Sequence, residues 1–248
     1  MSIRGLVGSF GWALIALLAS SPVARAESYR DAAHHFAMDL PKGWEVMSSA
    51  ELAQINAFVQ QKMPGQVAYI QGFRPKGSAL GSYPYSLVQL QAGNTAASYE
   101  EIEKTLARET NGAVKKVEGS LADLVKEISV GSAILDRTHN RILVRIQMTV
   151  AGVGPVQGIS VGNIGSEGIV SIHSYALEND FARHVPTFNQ MNDSFKFDSG
   201  YTFTPSAGFW QRIGAGALSG AAKGGIAGAL IGLLVGGIFF VRKQLNKR

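Results

Sequence analysis

The sequence predicts an α+β domain, a largely antiparallel sheet flanked by helices, followed by one C-terminal transmembrane helix. Between His35 and Ala176, short runs alternate apolar and polar residues and are separated by Gly, Pro, Asn and Ser, which is the period-two signature of strands joined by turns. Other segments space their apolar residues as one face of a helix. Near the C-terminus, Gly216, Gly220, Gly224, Gly228, Gly232 and Gly236 recur every four residues in an otherwise almost wholly apolar stretch.

In chain order, His35 to Leu40 alternates around Phe36, Met38 and Leu40, and a Pro-Lys-Gly turn leads to a short strand at Trp44 to Met47. Ser48 or Ser49 caps a helix from Ala50 to Lys62, with Glu51 in the first turn and Leu52, Ile55, Phe58 and Val59 on one face; Pro64-Gly65 stops it. Strands at Val67 to Phe73 and Tyr85 to Gln91 flank a Gly/Ser/Pro-rich loop. A second helix runs from Ser98 to Thr110, where Ser98 and Glu101 have capping-box spacing and Asn111-Gly112 ends the helix. Val114 to Val117 reads as strand, and Ser120 to Ile128 as a short helix or an irregular connection. Four strands follow, near Gly131 to Arg137, Arg141 to Val150, Val156 to Gly162 and Ile169 to Ala176. His139-Asn140 and Gly152 to Pro155 supply turns. A last helix covers Asn179 to Phe195, completing a pattern of sheet and packed helices.

The two chain ends assign a topology. Residues 1–26 have a basic start, an apolar middle and an Ala24-Arg25-Ala26 exit, the pattern of a secretory signal cleaved after Ala26, with an uncleaved anchor as the alternative. From Gly224 to Val241 the chain carries no charge, enough at about 1.5 Å per residue to cross a roughly 30 Å hydrocarbon core. Arg242, Lys243, Lys247 and Arg248 follow, and positive residues stay on the cytoplasmic side. The expected divisions are a signal peptide at 1–26, an exported domain at 27–200, a juxtamembrane linker at 201–212, a transmembrane helix at 213–241 and a basic cytoplasmic tail at 242–248. The expected location is the cell membrane, single-pass, with the domain periplasmic or otherwise extracytoplasmic.

Glycines four apart form a ridge without side chains, a groove into which another backbone can settle. In a soluble helix each would cost about 1 kcal/mol relative to Ala, whereas lipid offers the backbone no competing water. The row is therefore read as a helix-packing face, for self-association or contact with another membrane protein; the alternative is a lone anchor.

Charge and composition exclude several classes. The net charge of +5 divides by compartment: residues 27–198 hold all 18 acids but fifteen of the 23 basic residues, leaving that region at about −3. The basic surplus reports topology, so nucleic acid is not an expected partner. With no cysteine, the chain has no disulfide, thiolate metal site or Cys nucleophile.

Catalytic patterns are wanting. His34 and His35 are adjacent and point to opposite faces of a strand, with only Asp31 and Asp39 loosely near. His139 sits at a hairpin tip, His173 on a strand that faces either a pocket or solvent, and His184 on the last helix. No His-Glu-x-x-His helix occurs, and no Gly-x-Ser-x-Gly nucleophile elbow is expected, because the match at Gly158 to Gly162 lies within the Val156 to Gly162 strand rather than at a strand-to-helix turn. The glycines from Gly162 to Gly168 join two strands and lack a following Lys-Ser/Thr, so a hairpin is expected rather than a phosphate loop. Glu100, Glu101 and Glu103 suit the first turn of a helix. Arg137, Arg141 and Arg145 surround one turn; Arg141 and Arg145 share a strand face and form a candidate anionic-ligand patch, against the commoner solvated face. No catalytic, cofactor or metal residue is assigned.

Two local sequences are more specific. HFAMDLPKGWEVM at residues 35–47 and FARHVPTFNQMNDSFKF at residues 181–197 resemble the PsbP-like fold family, in which a first strand enters a Pro-x-Gly-Trp turn and a last helix ends in Ser-Phe. Pro41, Gly43 and Trp44 match the turn, and Ser194 and Phe195 the ending. The resemblance implies a scaffold used for assembly or accessory duties, and matches no cofactor or metal residue. The expected function is a membrane-anchored, non-catalytic accessory or interaction protein. The alternatives are a ligand-binding or sensing module and an enzyme of unrecognised type.

Overall fold

The computed structural model describes residues 27–93, 98–106, 121, 123–205, 228, 229 and 232. The signal-like segment, Asn111-Gly112, Val114 to Val117, Gly216, Gly220, Gly224, Gly236 and the basic residues Arg242, Lys243, Lys247 and Arg248 lie outside these residues. Among the described residues no helix is long and apolar enough to cross a membrane.

Local sequence chemistry sets the helix starts. Helix α1 spans Ser49–Lys62; the Ser48 hydroxyl accepts the Glu51 amide, and the Glu51 carboxylate accepts the Ser48 amide at 2.9 Å. This capping box satisfies two amides that a helix start leaves open, an arrangement worth about 1 kcal/mol. Helix α2, over 99–106, repeats the device, with Ser98 and Glu101 exchanging the same two bonds. Helix α3, Glu178–Ser194, has no side-chain cap but carries Glu178 and Asp180 in its first turn, where the helix dipole favours acids.

The strands are β1 (Glu27–Asp31), β2 (Phe36–Leu40), β3 (Trp44–Val46), β4 (Tyr69–Pro75), β5 (Tyr85–Ala92), β6 (Val125–Val130), β7 (Ile134–Asp136), β8 (Arg141–Val150), β9 (Gly154–Ile164), β10 (Gly168–Leu177) and β11 (Lys196–Phe197). A small sheet has the order β1-β2-β11, and a large one the order β3-β4-β5-β10-β9-β8-β6, with β7 also paired to β8. Every pairing is antiparallel. The α+β reading and most element positions hold. Residues 125–128, expected in a helix or irregular connection, instead belong to β6. The strand expected at 131–137 shortens to Ile134–Asp136, and β1 and β11 are additional.

Both faces of the large sheet are covered. On one, Trp44, Phe73, Val88, Ile159, Val161 and Ile172 pack with Phe181, Phe188 and Met191 of α3 and with Phe36, Met38 and Leu40 of the small sheet. Trp44 meets the Phe188 ring edge-on at 6.2 Å, and Phe36 stacks on Phe195 at 5.2 Å. The turn and helix-end residues singled out in the sequence thus enter one core, where burying each large ring contributes about 1.5–3 kcal/mol. The other face packs Ile55, Phe58 and Val59 of α1 and Ile102 and Leu106 of α2 against Tyr69, Tyr85, Leu87, Tyr175 and alternate residues of β8.

Candidate functional site

The α1 face of the sheet carries a patch whose composition is set by strand alternation. On β10, Ile169, Ser171, His173 and Tyr175 point one way, and register places His173 between Leu87 of β5 and Ser160 of β9. Tyr175 lies opposite Tyr85 on one side and Gly158 on the other. A Cβ on Gly158 would sit 2.7 Å from the Tyr175 ring, so the missing side chain is what lets that ring lie across β9. Tyr85 and Tyr175 have ring centroids 5.3 Å apart, and Tyr69 meets the His173 imidazole edge-on at 6.2 Å.

Three phenols rise from this patch and reach one piece of backbone. Tyr69 donates to the Gly228 carbonyl at 2.5 Å, Tyr85 to the Gly232 carbonyl at 2.5 Å and Tyr175 to the Ala229 carbonyl at 2.8 Å. Positions 228, 229 and 232 share one side of a helical turn, and each carbonyl has a second lone pair free to accept a side-chain hydroxyl. The approach requires glycine: a Cβ on Gly228 would stand 2.9 Å from Gln89 Cδ, and one on Gly232 2.6 Å from Tyr175 Cζ. For these two members of the glycine row, the close neighbours are sheet side chains rather than another helix.

Burial controls the chemistry. Loss of solvation raises the phenols of Tyr69 and Tyr175 well above their ordinary range, keeping them protonated donors. Burial likewise pushes the His173 imidazole down to about 3, so it is neutral at ordinary pH. Ser160 Oγ lies 2.9 Å from His173 Nδ1, while Nε2 has no hydrogen-bond partner among the described residues. Gln89 donates to the Val67 carbonyl at 2.6 Å, and its Oε1 also lacks a partner among the described residues. The Ser160–His173 pair has no third, orienting carboxylate among its described partners, and His173 is 0% exposed.

Arg141 and Arg145 come together elsewhere, on the α3 side of β8, in a groove of about 700 Å³ that they line with Asp136, His139, Asn192 and Asp193. Arg141 donates to Asp193 at 3.2 Å. Arg145 is exposed and meets no carboxylate among the described residues within 4.0 Å. Asn192, buried in the groove wall, has an Oδ1 without a partner among the described residues. Arg137 is not part of this patch: it pairs with Glu100 and Glu103 and lies 5.3 Å over the Tyr99 ring.

The remaining sequence candidates have local partners. His34 bonds Asp31 at 2.8 Å, His139 bonds Asp136 at 2.6 Å, and His35 stacks on Tyr201 at 3.7 Å. Among the described residues no three His, Asp or Glu side chains gather as metal ligands. Residues 162–168 join β9 to β10 as a hairpin, as their glycine spacing suggested. Sequence reasoning missed the tyrosines as a group. Each sits on a different strand, and only the pairing register shows that they share a face.

Comparison with protein-family models finds no match, and comparison with curated proteins finds none. Among solved structures, the chain is similar to cyanobacterial PsbP (CyanoP) from Synechocystis sp. PCC 6803, at 12% identity over 78% of this chain and 99% of that chain, with a TM-score of 0.48. It is also similar to the Ran-binding protein Mog1p of Saccharomyces cerevisiae, at 8% identity over 70% and 95% of the two chains, with a TM-score of 0.38. The first bears the name of the family that residues 35–47 and 181–197 resemble. At these values neither likeness carries a role or partner to this chain.

The depressed imidazole gives a pH signature. Folded His173 is harder to protonate than unfolded His173, so unfolding takes up a proton below about pH 6.5. Its contribution to stability is present above that pH and is lost as pH falls toward about 3, with a slope of about 1.4 kcal/mol per pH unit. In urea unfolding series, His173→Gln is expected to flatten the slope between about pH 6 and pH 4; parallel curves for the two proteins would contradict the assignment.

Proposed function

We propose that the chain is a membrane-anchored, non-catalytic accessory or interaction protein. Its α+β domain is exported, its glycine-rich segment is a single-pass anchor, and its basic tail is cytoplasmic. The observation that carries the reading is the uncharged run from Gly224 to Val241, bounded by Lys223 and by Arg242, Lys243, Lys247 and Arg248, a hydrocarbon-length segment with a positive flank. The Ala24-Arg25-Ala26 exit supports export. The absence of side chains at Gly216, Gly220, Gly224, Gly228, Gly232 and Gly236 supports close packing as the use of the segment, with self-association or another membrane protein as the partner in lipid.

A second reading, ligand binding, is favoured by one observation: the α3-side groove combines an exposed Arg145 with the buried Asn192 Oδ1, which has no partner among the described residues. A guanidinium beside an amide suits a small anion that also carries a donor.

For the anchored reading, membranes from cells making the full chain are washed with carbonate, and intact spheroplasts are treated with protease. The chain is expected to stay in the membrane, the domain to be digested and a tag after Arg248 to be protected. Release by carbonate, or a tag accessible from outside, would refute it. For the groove, titration with inorganic phosphate followed by NMR is expected to shift the Asn192 side-chain amide saturably in the millimolar range, and Arg145→Glu to abolish that shift. Equal responses from both proteins would remove the second reading.

A further inference from the structure

The glycine segment has a place on the sheet as well as a predicted place in the bilayer. On the sheet, three tyrosine hydroxyls hold the carbonyls of Gly228, Ala229 and Gly232. Gln89 Oε1, without a hydrogen-bond partner among the described residues, is the atom nearest to where a Gly228 Cβ would be. In a span beginning at Gly224, the same glycines would lie about 6 and 12 Å along the helix axis, inside hydrocarbon. One stretch of backbone cannot occupy both positions.

We infer that the α1 face of the sheet is a dock for the chain's own glycine segment, so that docking and membrane insertion are alternative placements of residues around 224–236. This rests on the anchored reading above. The occupant is identified by the contact itself: Gly228, Ala229 and Gly232 are seated on the face, and Ala229 is 0% exposed. Undocked in water, a glycine-rich helix is weak because each glycine surrenders backbone entropy without side-chain burial. Docking supplies apolar contact and hydroxyl donors; lipid supplies a medium without competing water. The domain therefore shields its own anchor from water, and insertion uncovers the tyrosine face.

The test is hydrogen–deuterium exchange on the full chain, lipid-free and with vesicles of phosphatidylcholine containing phosphatidylglycerol, together with vesicle flotation. Tyr85→Phe/Tyr175→Phe removes two donors and keeps both rings. In the lipid-free wild type, the amides of 225–235 should be protected in a monomer. In the variant they should exchange roughly tenfold faster, as expected for losing two modest hydrogen bonds, and vesicle-bound protein should increase severalfold. Unprotected wild-type amides, or exchange and flotation unchanged in the variant, would overturn the dock. Protection only in a dimer would overturn the assignment of the chain's own segment as occupant. If neither protein floats while the wild type is protected and the variant is not, the anchored reading fails, and with it the alternation, whereas the contact itself stands.

Discussion

The contact on which the α1 face depends is that of Tyr175 with Gly158. Register places the two residues opposite each other on β10 and β9, and the empty Cα of Gly158 lets the ring lie over the neighbouring strand. A side chain there would meet the ring at 2.7 Å and force it away. The ring's position brings its hydroxyl to Ala229 and its edge to Gly232. Tyr85, stacked beside it by Tyr83 at 5.2 Å, and Tyr69 complete the row of donors. A glycine in a strand weakens it when its space is unused; here an aromatic ring from the adjacent strand fills that space.

The two faces of the sheet have different chemistry for a reason that begins with alternation. Toward α3, interlocked aromatic rings and aliphatic side chains form a core around Phe188, with a largely apolar groove carrying Arg141 and Arg145 at its β8 margin. Toward α1, the same strands bury Ser160, His173, Gln89 and three phenols among apolar residues. Buried polar groups are costly unless paired, and the phenols donate to backbone carbonyls brought within reach. Gly228, Ala229 and Gly232 are the acceptors, and Ala229 is fully buried against the face.

Much of this was legible in the chain, because local rules decide it. A Ser48 or Ser49 cap with Glu51 in the first turn and the Ser98/Glu101 spacing announced two helix starts, and alternation announced β5, β8 and β10. Strand β6 was not legible: Val125 and Ile128, three residues apart, mimic a helical face, yet a register shift between Val125 and Glu127 lets both pack on one core. Strands β1 and β11 are too short to show a period, and they form by pairing with the two edges of β2. Arg141 and Arg145 were found by even spacing, and they share a groove. The four-residue glycine period was read as a helix-packing face; Gly228 and Gly232 lie instead against Gln89 and Tyr175, on a surface assembled from β4, β5 and β10 that no local pattern reveals.

The claim that the domain cradles its own glycine segment is tested most directly by placing azidophenylalanine at Tyr69 in the full chain, irradiating it lipid-free and in native membranes, and mapping the products by mass spectrometry. The account predicts an intrachain link to residues 224–236 without lipid, and its loss when the segment is inserted. A link absent without lipid, or undiminished in protein whose segment spans the membrane, would contradict it.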